Sequence, residues 1–219
     1  ILLSKTSIPL IGLIDYGMGN LYSVQEAFKR LKRPLKIIKS PNDLKDCDAL
    51  ILPGVGAFDP AMENLEKTKL VPYLKKWAEN QKPLLGICLG LQLLFESSEE
   101  GSKEGLGIIQ GKVSLLPKNE SERIPHMGWA NLIQKNQCPL TESLETNNWM
   151  YFVHSYAAIT QSPQDLAASV NFGQTEITAI VWKGNIGACQ FHPEKSSQAG
   201  ERLLLRWIHW LENRITKQK

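Results

Sequence analysis

Three residue types that together can break an amide bond occur here at telling positions: a cysteine, a histidine and a glutamate. Cys88 sits in Gly86-Ile-Cys-Leu-Gly90, between the apolar run Leu84, Leu85 and Ile87 and a stretch in which Leu89, Leu93, Leu94 and Phe95 recur at helical spacing. A cysteine flanked by glycines where a buried strand turns into a helix is the thiol version of the nucleophile elbow. Glycine tolerates the tight backbone and close packing of such a turn. A helix N-terminus next to the sulfur would favour the thiolate. A lone cysteine is more often a buried structural residue, so the second stretch matters: Gln190-Phe-His-Pro-Glu194. A histidine that deprotonates a thiol needs a third group to fix its tautomer. Glu194 lies two residues beyond His192, the same-face spacing of an extended segment, and Pro193 keeps that segment out of a helix. Cys88 and His192 are 104 positions apart, so only a fold can join them. Cys88 as nucleophile, His192 as base and Glu194 as its orienter make a Cys-His-Glu triad.

The elements that must position these residues can be read from Pro9 onward. Pro9 to Ile14, Leu35 to Ile38, Ala49 to Leu52 and Leu84 to Ile87 read as short buried strands. Between them, Asn20 can cap a helix carrying Val24, Ala27, Phe28 and Leu31, and Ala57 to Ala78 reads as helical with a break at Pro72. Ser97 to Glu104 reads as a polar loop. From Gly107 the texture turns β-rich, with strands expected over Ile108–Leu116, Met127–Ile133, Tyr151–Tyr156, Leu166–Asn171, Thr178–Trp182 and Ile186–Phe191. Ser197 to Arg214 closes the chain as an amphipathic helix. Alternating strands and helices imply an α/β fold, a mostly parallel sheet covered on both faces, with a triad at the carboxyl ends of its strands and later strands extending the sheet or packing beside it. Residues 1–8 are expected to be an N-terminal extension and 9–219 a single domain.

Composition narrows the function class. The 219 residues carry a net charge of +3, 21% charged and 42% hydrophobic residues, ordinary for a soluble globular protein and too weakly basic to suggest nucleic acid. The four cysteines are scattered, with no Cys-x-x-Cys, which favours neither zinc nor a disulfide framework and suits a reducing cytoplasm. The longest apolar stretch, Pro83 to Phe95, is shorter than the about 20 residues a bilayer requires. Residues Ile1 to Ile8 lack a cleavage pattern, so no signal peptide is expected. Asp15-Tyr-Gly-Met-Gly-Asn20 is not Gly-x-Gly-x-x-Gly, which leaves a nucleotide reading weak.

The elbow Gly-x-Cys-x-Gly-x-Gln and the Phe-His-Pro-Glu tail resemble the triad (class I) glutamine amidotransferases. Asp15–Asn20, Leu52-Pro-Gly-Val-Gly-Ala-Phe58, Gly105-Leu-Gly-Ile108, Pro125-His-Met-Gly-Trp129 and Tyr151-Phe-Val-His-Ser-Tyr156 narrow the likeness to the glutaminase subunits of imidazole glycerol phosphate synthases, from about Pro9 to the end. The resemblance implies a flavodoxin-like sheet with added strands and hydrolysis of glutamine without any cofactor or metal. It implies an oxyanion held by the amides of Val55 and Leu89, with Gly54 and Gly56 letting the Val55 peptide rearrange. It assigns glutamine binding to Gly54, Gly56, Gln92, Glu100, His154, Ser155 and Tyr156. It also implies a separate partner, a cyclase subunit with a (β/α)8 barrel that forms a heterodimer with this chain and takes up its ammonia, contacted by Asn20, Met127, Trp129, Tyr151 and Lys195. His126 is read as a surface or an interface histidine, and Trp129 as either core or interface. Two other enzyme readings share the elbow: a paralogue feeding ammonia to another acceptor, for example in surface-sugar biosynthesis, and a free-standing γ-glutamyl hydrolase-type enzyme. A silent binding protein is a third reading, against which the intact triad speaks.

Overall fold

Strands whose residues are apolar on both faces demand cover on both faces, and the structure supplies it. In the computed structural model, which describes residues 8–144 and 147–217, the chain runs β1 (Ile11–Ile14), α1 (Leu21–Arg30), β2 (Lys36–Ile38), β3 (Ala49–Leu52), α2 (Phe58–Lys67), α3 (Val71–Glu79), β4 (Leu84–Ile87) and α4 (Leu89–Leu93). It continues through β5 (Ser97–Ser98), β6 (Gly111–Leu115), β7 (His126–Asn131), β8 (Ile133–Gln134), β9 (Trp149–His154) and β10 (Tyr156–Thr160). It ends with β11 (Leu166–Phe172), β12 (Thr175–Lys183), β13 (Ile186–Cys189) and α5 (Ser197–Lys217). The extension expected over 1–8 lies, except for Ile8, outside the described residues.

The main sheet has eight strands in the order β2-β1-β3-β4-β13-β12-β11-β8. Its first five are mutually parallel and the other three antiparallel. The parallel part follows the flavodoxin-like order, in which ligands sit beyond the carboxyl ends of the strands. Alternation sorts each strand between two layers. Leu13, Ile51, Leu85 and Ile87 face Val24 and Phe28 of α1 and Leu203, Leu204, Trp207 and Leu211 of α5. Ile14, Leu50, Leu52 and Leu84 face Phe58, Met62 and Leu65 of α2 and Leu74 and Trp77 of α3. The later strands do both things expected of them: some extend the sheet, while β10-β6-β5 and the β7-β9 ribbon form two small sheets beside it.

The differences from expectation have local causes. The helical break falls before Pro72, at Lys69, whose φ is +63°, and Pro72 sits in the first turn of α3, where its missing N–H costs nothing. The polar loop after the elbow contains β5, which pairs Ser97 and Ser98 with Lys112 and Val113 of β6. An edge strand of two residues leaves no apolar pattern in the sequence. The elbow helix is one short turn, five residues, all buried.

The rings of Phe28 and Trp207 meet edge to face, centroids 6.3 Å apart, and both side chains are fully buried. Phe28→Ala is expected to cost about 3–5 kcal/mol, read as a drop in the urea midpoint without loss of the far-ultraviolet helix signal below the transition.

Candidate active site

The site is assembled where β1, β3, β4 and β13 end. Backbone pairing of β4 with β13 continues one residue beyond β4, because the Cys88 N–H donates to the Cys189 carbonyl at 2.8 Å. The chain then turns so sharply that Cys88 adopts φ +54° and ψ −113°. A non-glycine residue in that region costs of order 1–3 kcal/mol, the strained elbow the glycines announced. Gly90 is required for a second reason: a Cβ there would lie 1.8 Å from the Leu52 carbonyl oxygen. The elbow is thus packed backbone to backbone on the end of β3.

Beyond β13, His192 and Glu194 point back toward the sulfur. His192 Nδ1 and Glu194 Oε1 are 2.7 Å apart, with only 3% and 2% of the two side chains exposed. With Nδ1 so engaged, the ring lines the same cavity as Cys88 and feels its charge. Burial opposes charge on this imidazole, but the hydrogen bonds to Cys88 and Glu194 and the negative charge of both outweigh it and raise the pKa to about 10. The backbone of His192 is pinned as well: its N–H donates to the Tyr151 carbonyl at 3.0 Å, and its carbonyl accepts from the Ser196 hydroxyl at 2.6 Å. Glu194 Oε2 is buried without a hydrogen-bond partner among the described residues.

Cys88 and His192 line a cavity of about 340 Å³ together with Val55, Gly56, Leu89, Gln92, Glu100, His154, Ser155, Tyr156, Pro125 and Val153. That size suits a small molecule. Of the residues expected to hold a substrate, only Gly54 lies outside the lining. Gln92 spends both amide hydrogens internally, on the Tyr156 carbonyl at 3.0 Å and on Gln190 Oε1 at 3.1 Å, which leaves its own Oε1 as an acceptor. Glu100 accepts the Phe58 N–H at 3.0 Å through one oxygen. The two amides expected to form an oxyanion hole are both engaged elsewhere: Val55 N–H donates to the Met18 carbonyl and Leu89 N–H to the Gly54 carbonyl, each at 3.3 Å.

His126 corrects the sequence reading. It is neither a surface nor an interface residue but is buried, stacked on Phe152 with ring centroids 5.0 Å apart, and its Nδ1 lies 3.2 Å from His154 Nε2. His154 Nδ1 in turn donates to the Tyr156 carbonyl at 2.8 Å, so His154 Nε2 is left to accept from His126. Burial lowers the pKa of both rings, that of His154 to about 4, where the Tyr156 carbonyl works in the opposite sense. Sequence reasoning also missed Tyr16 and Gln190. The Tyr16 hydroxyl donates to the Pro53 carbonyl at 2.7 Å and braces the segment carrying Val55; burial, with negative charge at Cys88, pushes its phenol well above the usual range. Gln190 is fully buried, with its Nε2 3.8 Å from Cys88 Sγ. The signal for it was present, Gln190 lying two residues before His192. The extended segment expected through Glu194, however, is not formed. β13 ends at Cys189, and Glu194 reaches the ring from a 3₁₀ turn over Pro193–Lys195, with Pro193 in its first turn where a missing N–H is tolerated. Among the described residues, no cluster of histidine, cysteine, aspartate or glutamate could hold a metal ion.

Of the residues read as partner contacts, Met127 and Trp129 are exposed and apolar and Tyr151 is half-buried beside them. Met127 is 64% and Trp129 49% exposed, and the Trp129 and Tyr151 rings meet at 5.8 Å across the β7-β9 ribbon. Trp129 is therefore not core. Trp149, also 49% exposed, alternates onto the same face as Tyr151. Lys195 is exposed on the turn at 193–195, which packs against both β9 and α1, and exposed Asn20 caps α1 by accepting the Ser23 N–H at 3.2 Å.

An α/β sheet with a strained cysteine elbow and a His–Glu pair at its strand ends is the arrangement that comparison with known proteins sets in an amidotransferase family. The chain belongs to the class-I glutamine amidotransferase family, which matches residues 12–210. Among its curated relatives are proteins named imidazole glycerol phosphate synthase subunit HisH from Prochlorococcus marinus. That of strain MIT 9211 is 64% identical over 93% of this chain and 96% of its own length, and that of strain SARG 64% identical over 92% and 95%. Two solved structures share the fold at 20% identity. One is a putative GMP synthase protein from Thermoplasma acidophilum (TM-score 0.70, 97% of this chain and 98% of that one). The other is PurLQS from Thermotoga maritima (TM-score 0.71, 94% and 100%). No described helix is long and apolar enough to cross a membrane.

The raised pKa of His192 has a stability signature. A group that holds its proton more tightly when folded stabilises the fold fully below its ordinary value, near 6.5, and loses that contribution as pH rises through about 10. The urea midpoint of the native chain should decline between pH 7 and pH 10, and His192→Gln should flatten that decline, as followed by equilibrium unfolding at several pH values.

Proposed function

We propose that the chain hydrolyses glutamine to glutamate and ammonia through Cys88, His192 and Glu194, as the glutaminase subunit of an imidazole glycerol phosphate synthase in histidine biosynthesis. The observation that carries this reading is the His192 ring, held by Glu194 at 2.7 Å, sharing the wall of a small-molecule cavity with Cys88 at its strained elbow. The Cys88 sulfur attacks the carboxamide carbon, the His192 imidazolium passes its proton to the departing nitrogen, and ammonia leaves. Water activated by the same imidazole then cleaves the thioester, while Glu194 stays ionised and holds the ring. Gln92 Oε1 and the free side of Glu100 are placed to meet the α-ammonium group of glutamine, with the 154–156 segment completing the pocket. The shared sheet supports one amidotransferase domain over 9–219.

The oxyanion site is closed in this conformation, and one peptide closes it. The carbonyl bonded to Leu89 N–H belongs to Gly54, and the N–H of that same peptide belongs to Val55, turned toward Met18. A half-turn of this single peptide releases the Leu89 amide and brings the Val55 amide beside it. Gly56, at φ +107°, and Gly54 give the segment the freedom to do so. We read the turn as coupled to a cyclase partner with a (β/α)8 barrel, seated on Asn20, Met127, Trp129, Tyr151 and Lys195. Support for that partner comes from the identity to the HisH relatives. The reading places the pair in the cytoplasm.

Glutamate release by the chain alone should be slow, and it should rise about 10²–10³-fold, the worth of a restored oxyanion donor, when the cyclase partner and its nucleotide ligand are added. Equal rates in both states would overturn the gating, and high activity alone would favour the γ-glutamyl hydrolase reading. Cys88→Ala should abolish turnover by at least about 10⁴-fold in either state.

A further inference from the structure

Gln190 carries a carboxamide that no solvent reaches, and burying such a group is costly unless each end is used. Its environment fixes which end points where. The Tyr156 carbonyl can only accept, and it lies 3.0 Å from Gln92 Nε2, so the Gln92 amide nitrogen faces it. The second hydrogen on that nitrogen points at the Gln190 side chain 3.1 Å away, which must therefore present its oxygen. The Tyr156 carbonyl is held in place by His154 Nδ1, and His154 by His126, at 2.8 and 3.2 Å. This chain of bonds leaves the Gln190 NH₂ with one direction, toward Cys88 Sγ at 3.8 Å, within reach of an N–H···S contact. Gln190 does not line the cavity, so it meets the sulfur from the core while the substrate meets it from the other side. Its main chain is fixed as well, the N–H donating to the Ala179 carbonyl of β12 at 2.9 Å.

We propose that Gln190 is a further catalytic residue, whose buried carboxamide donates a hydrogen bond to the Cys88 sulfur, stabilises its anionic form and aims it at the substrate carbon, with Gln92 as the positioning residue that sets the carboxamide's orientation. The inference rests on the reading of Cys88 as the nucleophile. It assigns Gln92 a second task, since the nitrogen end of that amide serves the nucleophile and only its oxygen is left for the substrate.

The test compares the unsubstituted chain with Gln190→Leu, which keeps the volume and removes the donor, and Gln190→Glu, which replaces the donor with a carboxylate. Iodoacetamide alkylation of Cys88 at neutral pH, timed by mass spectrometry of the modified peptide, reads the anionic sulfur directly. Both substitutions should slow alkylation about ten- to a hundredfold, the range for a lost hydrogen bond to a charged group, and lower kcat in the cyclase complex in proportion, with KM for glutamine within about twofold. A folded Gln190→Leu chain that alkylates at the native rate overturns the proposal, and a purely structural role would show as a lower Tm with alkylation unchanged. Should neither variant fold, the side-chain amide resonances of Gln190 in the unsubstituted chain decide: alkylating Cys88 must shift them, and unmoved resonances overturn the proposal. Retained glutamate release in Cys88→Ala would overturn the nucleophile reading itself, whatever Gln190 does.

Discussion

A protonated imidazole can stay buried only while the anions that compensate it remain within bonding distance. Desolvation alone would discharge His192; Glu194 at 2.7 Å and the Cys88 sulfur reverse the balance. Much of the surrounding architecture serves that condition. The β4-β13 pairing sets the cysteine beside the segment that delivers the histidine, and the contact of Gly90 with the Leu52 carbonyl fixes how far the elbow can move. Ser196 bonds both the His192 carbonyl and the Tyr151 N–H, so His192 is fastened to β9 from two sides.

The strain and the polar network are two answers to one problem, that of holding a reactive sulfur in a fixed direction. The elbow backbone sets where the sulfur is. The string of bonds from His126 through His154, the Tyr156 carbonyl, Gln92 and Gln190 sets what it touches. Two neutral histidines at one end suit this role, because a charge there would be buried beside the His192 imidazolium. Buried polar strings of this kind are favourable when their members are satisfied, and here every link of the string is made while the Gln92 oxygen is left facing the cavity.

What the sequence disclosed follows from the range of the interactions involved. The parallel strands were legible because burial on both faces leaves continuous apolar runs, and the elbow because its close packing leaves no room for a Cβ at two fixed places. The amphipathic α1 and α5 were legible from spacing alone. The break at Lys69 was placed late because proline attracts attention, although a proline in a first helical turn marks a start. β5 was hidden because pairing, not patterning, makes it a strand. His126 was misjudged because its burial depends on Phe152 and Phe172, which reach it only in three dimensions. Gln190 lay in plain view, but a neutral side chain next to a triad announces nothing until a partner is seen.

The positive φ of Cys88 has a consequence for the history of such a protein. The strain belongs to the backbone, so a glycine at this position would adopt the same turn without it. The residue whose loss would most simply relieve the elbow is then the one on which the proposed chemistry turns. Selection for robustness alone would replace this cysteine first and leave a well-folded shell without the proposed nucleophile. An intact cysteine at a strained elbow is, in that sense, a record of continuous use.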